Sequence, residues 1–529
     1  MEEARCVREI GRVVGRNVTE ILFRTGYSTP ISVGEIITAK DGEAGDVHYL
    51  RVIDVMHGND AFSGSFMERT AGNMMAGGHN ENGYVLHDRE RRLFKLVRTV
   101  PLGYAPAGEN GASFRKPKVL PPHFSTVRRV CESDFSFLAG HSGEIEIGML
   151  RSGEKVLNIP IGVGANDLPS HVGVFATTGM GKSNLMKTFA ASVMRRGGCG
   201  LLLIDPHGEY YDGGASGTLK GLRDAPGQDN FVVYSSRPFS GSYNRIMLSA
   251  HEITVEDVEN VYPFSQAQAE ALWQISSRYG RRWLMELADS DIKTLVDAFE
   301  RKIQDVTFAV LKRRAERILG SDVVHRDEKV SASGSIVEAL HSGKVVLVDT
   351  SSLYNEEELL VGAVLARRLF GENKKAYIDG KRFRKLPPVL ISLEEAQRVL
   401  GTAQQGNIFT RIAREGRKFK VGICAVTQQP KLIPNELLSQ FNTMFLLGLS
   451  DDGDRNIVRG CAKQDISALG TEIQTLERGE ALITSPSAPF ALPVKIHLYE
   501  DYIKITADDA KIAKKANAVE DKTIDDDFY

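Results

Sequence analysis

Cysteine is scarce in this chain and does not occur in metal-binding or redox pairs. Five cysteines are scattered over 529 residues, without a C-x-x-C pair. This spacing argues against a disulfide framework or a cysteine zinc site, and it is typical of a reducing compartment. The H-E-x-x-H pattern of zinc proteases and the G-x-S-x-G pattern of serine hydrolases are also absent from the sequence. The sequence therefore gives no indication of a zinc protease or of a serine hydrolase with these motifs.

Long apolar runs and an excess of one charge are missing as well. No run approaches the ~18–20 apolar residues of a membrane span, and the first residues lack the apolar region of a signal peptide. The 66 basic and 68 acidic residues give a formal net charge of −2. This balance excludes a uniformly basic surface, but it is compatible with a local basic channel. We expect a cytoplasmic protein without membrane association.

Residues 172–183 (VGVFATTGMGKS) carry the strongest functional signal. They read as a buried strand, a glycine-rich loop and the start of a helix. Gly179 and Gly181 lack a Cβ, which lets backbone N–H groups surround an anion, and the helix adds its positive dipole end. The pattern predicts a phosphate-binding P-loop, in which Ala176 replaces the first glycine. The residues expected to bind ATP are Thr178, Gly179, Met180, Gly181, Lys182, Ser183 and Asn184.

Hydrolysis of a nucleotide requires acids beside this loop. Lys182 supplies a mobile charge for the β- and γ-phosphates, and the Ser183 hydroxyl is placed to ligate Mg²⁺. An apolar strand at residues 390–393 ends in Glu394 and Glu395, at the sheet edge where open parallel sheets bind ligands. We predict that Glu394 supports the metal and that Glu395 polarises the attacking water. A simple helix N-cap is the alternative interpretation of these two acids.

Three further positions are candidates with open alternatives. Asp205 follows a buried strand and either lies near the metal or only closes the turn of residues 205–210. Arg414 and Arg417 precede another core strand and either hold a γ-phosphate, from a neighbouring subunit if the chain assembles, or cap a helix end. Gln428 follows that strand and either senses the phosphate or satisfies the strand end.

The organisation of the chain changes along its length. Residues 1–155 contain short apolar runs separated by glycine, proline and aspartate, which predicts a small N-terminal β-barrel or sandwich. Residues 156–250 and 335–499 alternate between strand and helix patterns, which indicates an α/β core with a parallel sheet. Residues 251–334 have helical periodicity and interrupt that core. Residues 500–529 form a polar tail, with a possible helix at 508–518, that is either disordered or a brace for a neighbouring subunit.

Five motifs in a fixed order resemble the HerA family of hexameric DNA translocases, within the FtsK–HerA group. They are residues 176–183 (ATTGMGKS), 204–210 (IDPHGEY), 394–397 (EEAQ), 412–418 (IAREGRK) and 427–430 (TQQP). The resemblance spans nearly the whole chain. It implies a RecA-like core, a barrel similar to the HAS barrel, ATP and Mg²⁺ as cofactors, a six-subunit ring and movement along double-stranded DNA. It also implies partnership with a NurA-type nuclease in DNA end resection for recombinational repair.

The resemblance assigns roles to matching residues. It implies that Glu395 is the catalytic acid, and that Arg414 or Arg417 acts from the neighbouring subunit. Two positions depart from the family pattern. Ala176 stands in place of a glycine, and Gln397 stands where many relatives have histidine. Ala176 is tolerable if its backbone angles suit alanine, whereas any role assigned to the histidine does not transfer to this chain.

Two other functions share part of this pattern. One is a related motor that moves protein or serves a conjugation or defence system. The other is a scaffold that ATP orders into a ring with little turnover. Stimulation of ATP hydrolysis by duplex DNA would indicate the DNA motor, a pull-down dominated by membrane proteins would indicate the protein motor, and turnover at background would indicate the scaffold.

Overall fold

Six antiparallel strands close a barrel near the start of the chain. The computed structural model describes residues 8–60, 65–76, 89–108, 113–140, 143–214, 219–238, 241–401 and 406–507. The barrel strands are β1 (Glu9–Arg16), β2 (Ile21–Gly26), β3 (Ile36–Lys40), β4 (Val47–Asn59), β5 (Leu93–Ala105) and β6 (Thr126–Arg129). Their order around the barrel is β1-β2-β5-β4-β3-β6. Side chains alternate between interior and solvent along these strands, so that Val13, Phe23, Leu50 and Val97 fill the interior.

A twelve-stranded sheet forms the centre of the molecule. Its strands are β7 (Ile145–Ser152), β8 (Lys155–Val163), β9 (Val172–Phe175), β10 (Gly200–Asp205), β11 (Phe231–Ser235), β12 (Asn244–Arg245), β15 (Val345–Asp349), β16 (Val389–Leu393), β17 (Val421–Thr427), β18 (Thr443–Leu446), β19 (Glu480–Thr484) and β20 (Leu492–Ile496). The order is β12-β11-β15-β10-β16-β17-β9-β18-β19-β20-β7-β8. Strands from β12 to β18 in this order run parallel, and the remaining strands are antiparallel. Two short strands, β13 (Leu248–Ser249) and β14 (Val324–His325), pair separately.

Helices cover both faces of the sheet. In β10, Leu202 and Ile204 belong to one apolar cluster, while Leu201 and Leu203 belong to another. Successive side chains of a strand point to opposite faces, so a strand apolar at every position requires cover on both sides. The continuous apolar run at 200–204 therefore places β10 at the centre of a covered sheet. The predicted α/β fold class with an N-terminal β-barrel is confirmed.

The helices fall into a group in the barrel, a group around the sheet and a group between residues 251 and 334. The barrel helices are α1 (Phe66–Ala76) and α2 (Arg89–Arg92), and α3 (Lys182–Arg196) follows the P-loop. The middle group is α4 (Val255–Val261), α5 (Gln266–Tyr279), α6 (Trp283–Asp289), α7 (Ile292–Ala298) and α8 (Asp305–Leu319). The remaining helices are α9 (Ser333–His341), α10 (Asn355–Ile378), α11 (Gly380–Lys385), α12 (Gln397–Leu400), α13 (Ile408–Glu415), α14 (Asn435–Leu438), α15 (Asp452–Cys461) and α16 (Gly470–Thr475). Residues 499–507 are also helical.

Helix α8 shows why the middle segment is helical. Phe308, Leu311, Ala315 and Ile318 recur at helical spacing and are buried. Five charged residues of the helix fall between these positions, namely Lys312, Arg313, Arg314, Glu316 and Arg317. This amphipathic pattern gives the helix one face to pack and one face for solvent. The predicted helix at 508–518 lies outside the described residues. Across the part of the chain that the structure describes, no helix combines the length and apolar character that a bilayer span requires.

The hairpin of β7 and β8 differs from our prediction. The predicted N-terminal β region, residues 1–155, includes β7, but β7 pairs with β20 in the large sheet, where Leu150 lies opposite Val494. The prediction for this strand is wrong because period-two patterning identifies a strand without identifying its partner. The domain boundaries themselves stay a prediction.

A buried network of charges joins the barrel to the sheet. Arg51 of β4 is 0% exposed and donates to the backbone oxygen of Ala491 at 2.7 Å and to the Glu472 carboxylate. Arg151 of β7 donates to the same carboxylate at 3.3 Å, and its Nε lies 3.7 Å from Glu480 Oε1. Because buried charges are costly to separate, this network fixes the barrel against β7, β19 and α16.

Candidate nucleotide site

Three parallel strands bring the predicted site residues to one edge of the sheet. The P-loop strand β9 lies beside β17, and β17 lies beside β16, which carries the two acids. The carboxyl ends of parallel strands meet at the same edge. Residues 176–183, 394–395 and 427–428 therefore converge, although more than 200 positions separate the first group from the others.

The P-loop has the backbone that its sequence predicts. Gly179 and Gly181 have φ angles of +83° and +100°, a region that favours glycine. Lys182 begins α3, and its Nζ donates to the Ala176 backbone oxygen at 3.3 Å, so the side chain folds back over the loop. Ala176 is not among the residues with positive φ. Alanine therefore fits the first motif position without backbone strain.

Two amide side chains hold Glu395. Gln397 Nε2 donates to Glu395 Oε2 at 2.6 Å, and Gln428 Nε2 donates to Glu395 Oε1 at 3.4 Å. Gln397 Oε1 in turn accepts from Thr427 Oγ1 at 2.5 Å, and Gln428 Oε1 accepts from the Thr178 hydroxyl. The P-loop, the end of β16 and the end of β17 are thus joined by one chain of side-chain hydrogen bonds.

The backbone at Glu395 is strained. Its φ angle is +46°, in the left-handed region that non-glycine residues rarely adopt. Such a conformation costs on the order of 1 kcal/mol or more and persists only where the surroundings impose it, commonly at functional sites. The amide contacts and the bond from the Arg398 N–H to the Glu395 backbone oxygen, 2.9 Å, hold the residue in this conformation.

Glu394 occupies a different environment from Glu395. Burial raises the pKa of its carboxyl to about 7, and the negative charges of Asp205 and Glu395 act in the same direction. The Tyr210 hydroxyl donates to Glu394 Oε1 and, together with Lys182, opposes this rise. A cation placed beside this carboxyl favours its ionised form. Glu394 is therefore suited to supporting a metal ion.

Asp205 is engaged by its own turn. The backbone N–H groups of His207 and Gly208 donate to Oδ1 at 3.2 and 2.8 Å, and that of Tyr210 donates to Oδ2 at 2.9 Å. Burial raises the pKa of this carboxyl. These contacts favour the turn-forming interpretation, and the metal role of Asp205 stays a prediction.

The oxygen groups around Ser183 fit a magnesium ion. Ser183 Oγ donates to Glu209 Oε2 at 3.1 Å, an acid that the sequence reasoning did not single out although it lies in the motif at 204–210. Within the described ranges, no group of three or more histidine, cysteine and acidic side chains is arranged to hold a metal ion by itself. Mg²⁺ at phosphate sites takes only one or two protein oxygens and completes its shell with phosphate and water. Ser183 and Glu394 line the same cavity, and their role as metal ligands stays a prediction.

A cavity of about 730 Å³ contains most of the predicted residues. Thr178, Gly179, Gly181, Lys182, Ser183, Asn184, Glu394, Glu395 and Gln428 line it. Met180 instead packs against the apolar core, and its backbone oxygen accepts from the Gly479 N–H at 3.4 Å. The P-loop, the two acids Glu394 and Glu395, and the candidate phosphate sensor Gln428 therefore line one cavity.

Arg478 lines this cavity, and the sequence reasoning missed it. The contact of Gly479 with Met180 places this residue against the P-loop, and its guanidinium is exposed. No motif marks the position, which lies almost 300 residues after the loop. Only the antiparallel pairing of β19 with β18 brings it there.

Arg414 and Arg417 do not reach the cavity of their own chain. They precede β17, whereas Gln428 follows it, and a seven-residue strand spans about 20 Å. Arg414 forms an exposed ion pair with Glu436 at 3.2 Å. The exposed Arg417 side chain has no hydrogen bond or ion pair with the part of the chain that the structure describes. A role for either arginine therefore requires a second subunit, and it stays a prediction.

Residues 145–369 match the family model described as "Helicase HerA, central domain". The resemblance to the HerA helicase family is confirmed. The chain is 26% identical over 427 residues to the DNA double-strand break repair helicase HerA of Sulfolobus acidocaldarius, covering 77% of this chain and 79% of the relative. It is 24% identical to the HerA helicase of Pyrococcus furiosus, covering 71% and 73% of the two chains.

Solved structures show more distant similarity than these HerA relatives. The plasmid coupling protein TrwB, in complex with a non-hydrolysable GTP analogue, aligns with a TM-score of 0.41 and 13% identity over 64% of this chain and 88% of its own. VirB4 of Thermoanaerobacter pseudethanolicus aligns with a TM-score of 0.42 and 16% identity over 67% of this chain and 96% of its own.

The match to the family model ends at residue 369, within α10. Glu394, Glu395 and Gln428 therefore lie beyond the matched residues.

Proposed function

We propose that this chain is an ATP-driven translocase that moves on double-stranded DNA as a homo-hexameric ring. The observation that carries this proposal is the hydrogen-bonded chain from Thr178 through Gln428 to Glu395, beside Lys182 in one cavity. A scaffold that only binds ATP needs the P-loop but not a carboxylate held by two amides. This arrangement is suited to hydrolysis.

Each residue of the site has a distinct task in the proposed reaction. The P-loop N–H groups and Lys182 bind the phosphates, and Ser183 with Glu394 would hold Mg²⁺, which supplies positive charge for the phosphate oxygens. Glu395 orients the attacking water and accepts its proton. Gln428 touches both the loop and Glu395, so it links the presence of the terminal phosphate to the position of the acid.

The names of the relatives support the DNA substrate, and the position of Arg417 supports the ring. The relatives are named DNA double-strand break repair helicases. Arg417 is exposed and precedes β17, whereas the cavity lies at the other end of this strand, which is compatible with an arginine that completes a neighbouring site. We extend the proposal to DNA end resection with a NurA-type nuclease, which co-purification of the two proteins tests directly.

Steady-state hydrolysis with and without duplex DNA tests the motor. We expect DNA to stimulate turnover, Lys182→Ala to abolish nucleotide binding, and Glu395→Gln to bind ATP while turnover falls by about 100-fold or more. A rate of ATP hydrolysis that duplex DNA does not change would favour a motor that moves another substrate. Background turnover with intact ATP binding would favour a scaffold.

Mixing two inactive variants tests the shared site. Lys182→Ala removes the phosphate lysine and Arg417→Ala removes the candidate arginine, so each homomeric assembly should be inactive. In a mixed ring, some sites combine an intact Lys182 with an intact Arg417 from the neighbour, and turnover should reappear. An Arg417→Ala assembly that is active by itself would show that Arg417 has no role, and no recovery after subunit exchange between two inactive variants would show that Arg417 acts within its own chain. Electron microscopy with ATP and duplex DNA measures the subunit number.

A further inference from the structure

Leu219, Leu498 and Tyr499 line another part of the same cavity, which we call its second wall. Asn184, in the first turn of α3, donates from Nδ2 to the His497 backbone oxygen at 2.8 Å and accepts from the Tyr499 N–H at 2.9 Å. These two bonds fix residues 497–499 beside the start of the P-loop helix. The wall is therefore held by the same helix that begins at Lys182.

A second segment is tied to this wall. The Tyr499 hydroxyl donates to the Gly221 backbone oxygen at 2.8 Å, and Lys187 Nζ of α3 donates to the Lys220 backbone oxygen at 3.3 Å. Residues 219–221 and 497–499 are thus connected to each other and to α3. The two segments form a fixed pair and not two independent loops.

Each segment presents a leucine to the cavity. Leu219 is 53% exposed and Leu498 is 57% exposed, and both line the cavity that contains the P-loop. Neither side chain belongs to an apolar core cluster of the described residues. Exposed leucines in a cavity leave apolar surface in contact with water, and a ligand with an apolar face removes that surface from water.

The orientation of a nucleotide in this cavity is set by its phosphate end. The terminal phosphate must point towards Glu395 and Gln428, where the attacking water is held. The nucleoside must therefore lie away from Glu395 and Gln428, and Leu219 and Leu498 supply apolar surface within the same cavity. A nucleobase has flat apolar faces and fits between such side chains.

We propose that Leu219 and Leu498 form a nucleobase subsite that contacts the base of the nucleoside triphosphate. This inference rests on the proposed nucleotide-binding function, which it deepens by assigning the residues that recognise the nucleoside. The subsite adds affinity for the nucleoside part of the ligand, whereas Lys182 and the loop bind the phosphates. The two contributions are separable by comparing ligands with and without a base.

Isothermal titration calorimetry with Mg-ATP and with magnesium tripolyphosphate tests the subsite. Tripolyphosphate offers the phosphate chain and lacks the base. We expect Leu498→Ala and Leu219→Ala each to weaken Mg-ATP binding by ~5–10-fold, since each removes on the order of 50 Å² of apolar contact. We expect tripolyphosphate affinity to change by less than about twofold in both variants.

Two control variants make the outcomes distinguishable. Leu120→Ala removes a leucine that lies between β5 and β6, is 40% exposed and is not among the residues that line the cavity, and it should leave both affinities unchanged. Lys182→Ala should weaken both ligands. If the leucine variants weaken neither ligand, or weaken both equally, the subsite is overturned while nucleotide binding stands. If the wild-type chain binds neither ligand, the nucleotide-binding function itself is overturned.

Discussion

Gln397 holds the catalytic candidate Glu395, and its removal provides the sharpest test of the site. Its Nε2 donates to Glu395 Oε2 at 2.6 Å, while its own Oε1 is anchored by Thr427 at 2.5 Å. Gln397→Ala removes this donor and leaves Glu395 with only the longer contact from Gln428, at 3.4 Å. We expect the carboxylate to lose its fixed orientation towards the attacking water.

The size of the effect follows from the type of hydrogen bond that is lost. A hydrogen bond to a charged group contributes about 1.5–3 kcal/mol. If that energy is lost in the hydrolysis step, kcat falls by about 10–150-fold. Gln397 is not among the residues that line the nucleotide cavity, so ATP affinity should stay the same. Gln397→His keeps a ring N–H donor and should recover much of the rate.

Steady-state ATP hydrolysis and calorimetric ATP binding measure the two quantities separately. In a Glu395→Gln background, Gln397→Ala should cause no additional loss, because the interaction that it supports has already been removed. The matched control is Gln474→Ala, which removes an exposed glutamine of α16. The reasoning is refuted if Gln397→Ala turns over at the wild-type rate, if ATP affinity falls in step with kcat, or if the loss persists in the Glu395→Gln background.

Three further predictions concern charge. Burial raises the pKa of Glu394 to about 7 from 4.5. The unfolded chain therefore loses this proton at a lower pH than the folded chain, and the free energy of unfolding falls by up to about 3 kcal/mol as pH rises from 4.5 to 7. Glu394→Gln should therefore raise the melting temperature at pH 8 and leave it unchanged near pH 4.5, and a shift of the same size at both pH values would contradict this. Arg478→Ala should weaken Mg-ATP binding by about tenfold in calorimetry, since it removes an exposed cation from the cavity wall; unchanged affinity would show that the guanidinium does not contact the ligand. Arg51→Met deprives the buried Glu472 of one partner and should destabilise the chain by about 3 kcal/mol in urea unfolding, whereas a neutral result would mean that Arg151 satisfies the carboxylate alone.

The parts of the site that depend on local sequence could be predicted. The P-loop is a contiguous motif whose glycines and lysine specify both its backbone and its ligand, and Gly179, Gly181 and Lys182 adopt the expected arrangement. The acids at the end of β16 follow an apolar run that indicates a buried strand. Because parallel strands end at a common edge, the meeting of these segments follows from the strand pattern.

Contacts between distant segments could not be predicted. Nothing in the sequence near Arg478 indicates that β19 places it against the P-loop, because antiparallel edge pairing depends on the whole sheet. The anchoring of Gln397 by Thr427 depends on the register of β16 against β17. The positive φ of Glu395 is also invisible in the sequence, since the surrounding structure imposes it on a residue that does not favour it.

The buried charges between the barrel and the sheet make a stiff joint. A rotation of the barrel relative to the sheet would separate Arg51 from Glu472. Separating two buried charges costs several kcal/mol. Arg151 carries the connection onward to Glu480, two positions after Arg478 on the wall of the nucleotide cavity. The barrel and the wall of the cavity are therefore linked by an uninterrupted series of buried ion pairs, and the two are expected to move together as one rigid unit.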